Sequence, residues 1–110
     1  MLRMGTLAGA LCLMLPIMGA AACDQRPPRT HMVAIEGMRF APEVLTVAPG
    51  DTIAWANRDL VPHTATSQDG GFDSKDIPAD GSWTYTARTT GDFTYVCTFH
   101  PTMKATLRVR

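Results

Sequence analysis

The stretch Gly91-Asp92-Phe93-Thr94-Tyr95-Val96-Cys97-Thr98-Phe99-His100-Pro101-Thr102-Met103 decides the reading of this chain. Its first half has the period of a strand: Phe93, Tyr95 and Cys97 fall on one face, Thr94 and Val96 on the other. Gly91-Asp92 opens the run as turn residues do. Its second half is Cys-x-x-His-x-x-Met, in which a thiolate, an imidazole and a thioether recur at every third residue. That spacing suits a tight loop closing on one ion from three directions. A strand that delivers such a loop predicts a β scaffold carrying a metal.

Working outward, the same period recurs. Ser82 to Ala87 alternates, with Trp83 and Tyr85 sharing a face, and Thr52 to Asn57 sets Ile53 and Trp55 on one side. Val44 to Val47 is β-prone and stops at Pro49-Gly50-Asp51, a strong turn signal. Met32 to Ile35 is another run, interrupted by Gly37, and Lys104 to Val109 closes the chain as a strand. After position 30 no window of about 11 residues carries a helical stripe. Short strands with turn signals between them predict an all-β sandwich or barrel.

Length and charge narrow the function. The chain has 110 residues, with 10 Lys and Arg against 10 Asp and Glu. That is one small domain, too small for a large multistep enzyme. No basic block suggests a nucleic-acid groove, and no nucleic-acid partner is expected.

Residues 1–22 differ in kind from the rest. Met1 to Thr6 carry Arg3, Leu7 to Met18 are apolar, and Gly19-Ala20-Ala21-Ala22 supplies the small residues a signal peptidase needs. A signal peptide over 1–22 is expected, with export to the periplasm or the outer face of the inner membrane. Small residues followed at once by Cys23 resemble a bacterial lipobox, which implies a lipidated Cys23 as membrane attachment. Ordinary signal cleavage at the same bond remains open, because Ala20 stands where lipoboxes usually have Leu. Residues 23–30 read as an extended, solvated tether rich in proline and charge, and 31–110 as the folded body.

Of the three cysteines, Cys12 lies in the leader and Cys23 at the cleavage point, so Cys97 alone belongs to the body. A lone thiol in an oxidising compartment can form no internal disulfide. A small body without disulfides calls for another staple, and a bound metal would be one. Upstream, His63 follows Pro62 just after the strand ending at Asn57. His63, Cys97, His100 and Met103 together make a His₂Cys set with a weak thioether, which selects copper over zinc.

FAPEVLTVAPGDTIAWANRD (residues 40–59), the later Pro62-His63, and residues 91–103 resemble the cupredoxins, and most closely the amicyanin and plastocyanin group. The resemblance covers residues 31 to 110. It implies a Greek-key β-sandwich of about seven to eight strands, and one Cu(I)/Cu(II) ion held by His63, Cys97, His100 and Met103. Thr64 stands where those families commonly have an Asn that braces the ligand loop, and the segment between His63 and Cys97 is shorter than theirs.

Four ligands leave little open coordination space, so one-electron transfer rather than catalysis is expected. Multicopper oxidases and related reductases resemble this fold but route electrons through a His adjoining the Cys. The neighbours here are Val96 and Thr98. The competing reading is a copper carrier handing its ion to another exported protein. Carriers often show Met- or His-rich tracts, and the body has only Met32, Met38 and Met103 with His31, His63 and His100. By resemblance, electrons would leave through the edge of His100, framed by Leu60, Pro62, Phe99 and Pro101. Transient redox partner proteins, apolar docking and a monomeric protein are expected. His31 is read as a solvated terminal residue. Trp55, Trp83, Phe93 and Tyr95 are read as core, and Asp69, Asp73, Asp76 and Asp80 as a solvated loop.

Overall fold

Alternation along residues 91–97 is realised as a strand that brings Tyr95 and Cys97 into the core. The computed structural model describes residues 26–110; the expected leader and Cys23 lie outside them. In chain order the strands are β1 (Thr30–Ile35), β2 (Phe40–Ala41), β3 (Val44–Val47), β4 (Thr52–Asn57), β5 (Thr66–Ser67), β6 (Ser82–Thr86), β7 (Gly91–Cys97) and β8 (His100–Val109). They form two four-stranded sheets, ordered β2-β1-β4-β6 and β3-β8-β7-β5. Most connections cross from one sheet to the other, which makes the fold an all-β Greek-key sandwich. The expected class and strand number hold. Among the described residues no helix is long and apolar enough to cross a membrane.

The inner faces follow the period-two rule. β8 buries Met103, Ala105, Leu107 and Val109, β1 buries Val33 and Ile35, and β4 buries Ile53 and Trp55. Trp55 stands at the centre, its ring centroid 5.4 Å from Trp83, 5.5 Å from Tyr95 and 5.6 Å from Phe72. Burying a large apolar side chain contributes about 1.5–3 kcal/mol relative to exposure, so this aromatic cluster anchors the sandwich. Burial also pushes the Tyr95 hydroxyl up to about 12. Trp83 and Phe93, read from the sequence as core, pack against it without full burial.

The two ends of the sandwich are set by strand direction. β1 and β4 run parallel, Thr30 beside Thr52 and Ile35 beside Asn57. β7 begins at the same end, because Gly91 pairs with Val109, Val109 with Val47, and Val47 leads into the turn before Thr52. At the far end β4 releases the chain toward His63 and β7 delivers Cys97. Both candidate ligand loops therefore leave the sandwich at one end.

Three readings are corrected here. His31 is half-buried within β1, and its Nε2–H donates to Asp51 at 2.9 Å. Arg26 and Arg29, expected within a free tether, also bond to Asp51, and Thr30 already belongs to β1. β8 starts at His100 rather than Lys104, because Thr98 and Phe99 turn the chain straight back and pair Cys97 with His100. Pro101 is tolerated because β3 pairs with β8 only from Thr106 onward, so no neighbour on that side needs its N–H.

Candidate metal centre

His63 is placed by backbone pairing and by a buried amide. Its N–H donates to Ile77 O at 3.1 Å, and Ile77 N–H returns to His63 O at 2.7 Å. Asn57, 1% exposed at the end of β4, holds the loop that carries it. Asn57 Nδ2 donates to Val61 O at 2.9 Å, Ile77 O at 3.0 Å and Pro78 O at 3.2 Å, and its Oδ1 accepts Asp59 N–H at 2.9 Å. One side chain thus ties the start of the loop, the residues before His63 and the loop segment Ile77-Pro78 opposite. Burial makes those carbonyls costly to leave unpaired.

His63 is 0% exposed, and both ring nitrogens are oriented. Nε2 lies 2.9 Å from Asp59 Oδ2 and Nδ1 lies 3.6 Å from Cys97 Sγ. Burial pushes the Asp59 carboxyl up, but N–H donation from Met38 and Gly37 and the contact with His63 outweigh it, leaving Asp59 below the usual range. An ionised carboxylate can only accept, so Nε2 carries the hydrogen. In the singly protonated ring Nδ1 then turns its lone pair to the sulfur. A carboxylate–imidazole pair of this kind fixes ring orientation for a metal. Asp59 also accepts Gly37 N–H at 2.8 Å and Met38 N–H at 3.0 Å, holding two residues in the left-handed region at φ 64° and 61°.

Cys97 is 0% exposed and lies at the bulge that ends β7. Its sulfur receives Thr64 N–H at 3.4 Å. Thr64 Oγ1 accepts Thr98 N–H at 2.9 Å and lies 3.2 Å from Thr98 Oγ1, so it ties the residue after His63 to the residue after Cys97. A hydroxyl does here the bracing that the resemblance assigns to Asn.

His100 follows the turn half-exposed, its ring centroid 5.4 Å from that of His63 at 63°. Met103, 5% exposed, belongs to the same buried cluster as Cys97. The structure therefore brings His63, Cys97 and His100 to one end and sets His63 against both of the others, with Met103 in the core below. Among the described residues no three His, Cys, Asp or Glu side chains converge closely enough to hold a metal ion together. The donor chemistry still fits copper. A buried thiol sulfur faces an imidazole lone pair, a second imidazole stands beside it, and the sulfur has only one N–H donor of its own. Sequence reasoning missed Asn57, Asp59 and Thr98; Asp59, four residues before His63, was the one with a local signal.

The surface at this end is apolar. Leu60 is 92% exposed, Phe99 48%, and Val61 and Met38 42% each, with Pro62 and Pro101 exposed beside them. The loop carboxylates Asp69, Asp73, Asp76 and Asp80 are exposed as expected. Lys75 N–H on the Asp73 carboxylate, at 2.9 Å, is the main influence holding Asp73 below its usual range.

The fold and this pair of loops define a cupredoxin-type domain. The family model described as a Cupredoxin-like domain matches residues 7–109, and the chain belongs to that family. Amicyanin from Paracoccus versutus is 29% identical over 89 residues, covering 76% of this chain and 67% of that protein. The methylamine utilization protein MauL from Methylophilus methylotrophus is 31% identical over 88 residues, and the chain spans about half of its length (51%). Among solved structures, a Cu(I) form of an amicyanin variant superposes with a TM-score of 0.69 at 26% identity, covering 74% of this chain and 82% of that one. A copper-containing nitrite reductase from Thermus scotoductus SA-01 also gives 0.69, at 25% identity, covering 78% of this chain and only 23% of the enzyme.

Proposed function

We propose that this chain is an exported small blue-copper protein that shuttles single electrons, with His63, Cys97, His100 and Met103 holding one mononuclear copper. The observation that carries the reading is Cys97 Sγ, fully buried, facing His63 Nδ1 at 3.6 Å while Asp59 holds Nε2 at 2.9 Å. Copper bound there would supply a one-electron Cu(I)/Cu(II) couple. The chain supplies the rest. Asp59 fixes the His63 tautomer, Thr64 N–H donates to the sulfur, and Asn57 holds the loop against rearrangement. The β scaffold excludes water from Cys97, and half-exposed His100 gives the buried site an edge at the surface.

The chain would accept an electron from a reduced donor protein and pass it to an oxidised acceptor, docking each through Leu60, Pro62, Phe99 and Pro101. Apolar docking and near-neutral charge favour brief encounters by a monomer with little electrostatic steering. No catalytic role is proposed. The reductase it resembles has most of its length outside the match, and Val96 and Thr98 offer no His beside Cys97. Cys23 is read as a lipid attachment at the outer face of the inner membrane.

Metal challenge through a redox cycle tests this reading. Copper should stay bound in both oxidation states against a competing chelator as the protein is reduced and reoxidised. Prompt release of Cu(I) to the chelator would overturn it in favour of a copper carrier.

A further inference from the structure

Electron transfer makes no use of the buried polar cluster at the other end of the sandwich. Asp51, 1% exposed in the turn between β3 and β4, accepts every donor around it. Arg26 Nη1 and Nη2 reach it at 3.3 and 3.0 Å, Arg29 N–H at 2.9 Å, His31 Nε2–H at 2.9 Å and Ala48 N–H at 3.0 Å. All but the last come from the start of β1 and the segment that leads into it. That segment is therefore fastened to the body at Arg26, and Pro27-Pro28 stiffens what lies between the contacts.

Position and charge give the clasp a meaning. β7 runs from this end to Cys97, and its length places the two ends roughly 20 Å apart. Arg26, Arg29, Arg88, Arg108 and Arg110 are all exposed at this end, against the acidic side chains Asp51 and Asp92. Their side-chain charge is therefore +3, and +2 once Asp24, two residues before Arg26, is counted, with Arg110 paired to Asp92 at 3.1 Å, although residues 26–110 carry nine acidic and nine basic side chains in all. Basic charge is thus concentrated at the pole opposite the candidate metal centre, on a domain with no net excess. Only Asp24 and Gln25 separate Cys23 from Arg26, a reach of at most about 11 Å.

We propose that the arginine-bearing end around Asp51 is the face this domain turns to an anionic bilayer, with Asp51 as the clasp that converts an N-terminal lipid attachment into a fixed orientation. Arginines near an anionic surface are drawn to it and act with a lipid chain as a second anchoring signal. The copper end then points away from the membrane, its apolar patch open to partners in the aqueous phase. The proposal rests on the reading of Cys23 as a lipid attachment, and the test separates the two.

The full chain is produced in a bacterium that processes lipoproteins, and its membrane fraction is compared with that of Cys23→Ala. Wild-type protein found in the soluble fraction would defeat the lipid reading itself and this proposal with it. The lipidated protein, in the Cys97→Ser background, is then labelled with a fluorophore at Thr89→Cys or at Thr102→Cys, both exposed. Each is placed in vesicles of phosphatidylglycerol and phosphatidylethanolamine with a quencher on the lipid headgroups. Quenching should be severalfold stronger at position 89 than at 102. The difference should shrink in Arg26→Gln/His31→Gln, which leaves Asp51 its backbone donors and its fold, checked by circular dichroism. It should shrink likewise in Arg88→Glu/Arg108→Glu. Equal quenching at both positions, stronger quenching at 102, or a difference untouched by either double variant would overturn the proposal while leaving the lipid attachment standing.

Discussion

Asp51 and Cys97 are buried to the same degree, 1% and 0% exposed, at opposite ends of the same two sheets. The carboxylate is surrounded by five donor contacts from Arg26, Arg29, His31 and Ala48. The sulfur has one N–H, from Thr64, and faces a ring nitrogen oriented from behind by Asp59. A buried polar group whose neighbours satisfy it fully can only hold the fold together. One left with a free lone pair among fixed neighbours can bind something else. The contrast separates the end built for stability from the end built for chemistry, and each variant below tests that separation.

The largest effect should lie in neither end but in the core that joins them. Trp55→Ala should cost about 3–5 kcal/mol in urea unfolding and weaken both ends together. If either end's hydrogen bonds survived that loss unchanged by NMR, the two ends would be independent rather than parts of one cooperative unit. Asn57→Ala comes next, at about 2–4 kcal/mol, because it strands Val61 O and Asp59 N–H and takes a second donor from Ile77 O and Pro78 O, which keep His63 N–H and Gly81 N–H. Metal-free Cys97→Ser should cost about 1–2 kcal/mol, less than Asn57→Ala, since the thiol packs as a small apolar group in the buried cluster but a serine hydroxyl there keeps Thr64 N–H and His63 Nδ1 as partners. A costly Cys97→Ser and a cheap Asn57→Ala would reverse the assignment of stability and chemistry at that end.

Asp59→Asn should weaken copper affinity about 10- to 100-fold by releasing the tautomer of His63, measured by chelator competition. Affinity unchanged from wild type would show that ring orientation comes from backbone pairing alone.

At the other end the expected signature is acid sensitivity. Arg26 foremost, then Arg29 N–H, His31 and Ala48 N–H, hold the Asp51 carboxyl far below the carboxylate range. A depressed folded value stabilises the protein above the unfolded value of about 4 and ceases to do so as pH falls toward the folded one. Urea midpoints should therefore drop below about pH 4 in the wild type, and Asp51→Asn should be weaker at neutral pH with a flatter acid limb. An acid limb identical in the two proteins would remove Asp51 from the account. The smallest change is Thr64→Val, about 1 kcal/mol, with copper still bound, because Thr98 N–H loses its acceptor while Thr64 N–H stays on the sulfur.

Much of the ligand end was legible because its signals are local. Alternation fixes which face Cys97 takes, and Cys-x-x-His-x-x-Met is read within seven residues. The pairing of β1 with β4 was not, because alternation does not say which strands are neighbours, and the two-residue strands Phe40–Ala41 and Thr66–Ser67 are too short for any period to show. His31 was misread because its partner, Asp51, lies 20 residues away and no periodicity joins them. Asn57 escaped for the same reason: two of its carbonyl partners come from Ile77 and Pro78, delivered by a loop whose path only the fold determines. Hydrogen bonds to backbone carry no sequence signal at the accepting residue, so the groups that position the candidate ligands were harder to see than the candidates themselves.

The most direct test of the central claim is the visible absorption spectrum of the protein loaded with Cu(II). His63, Cys97, His100 and Met103 predict an intense blue band that vanishes on reduction, returns on reoxidation and is missing in Cys97→Ser. A pale spectrum, or a band that persists in Cys97→Ser, would contradict the claim that this buried sulfur holds a redox copper.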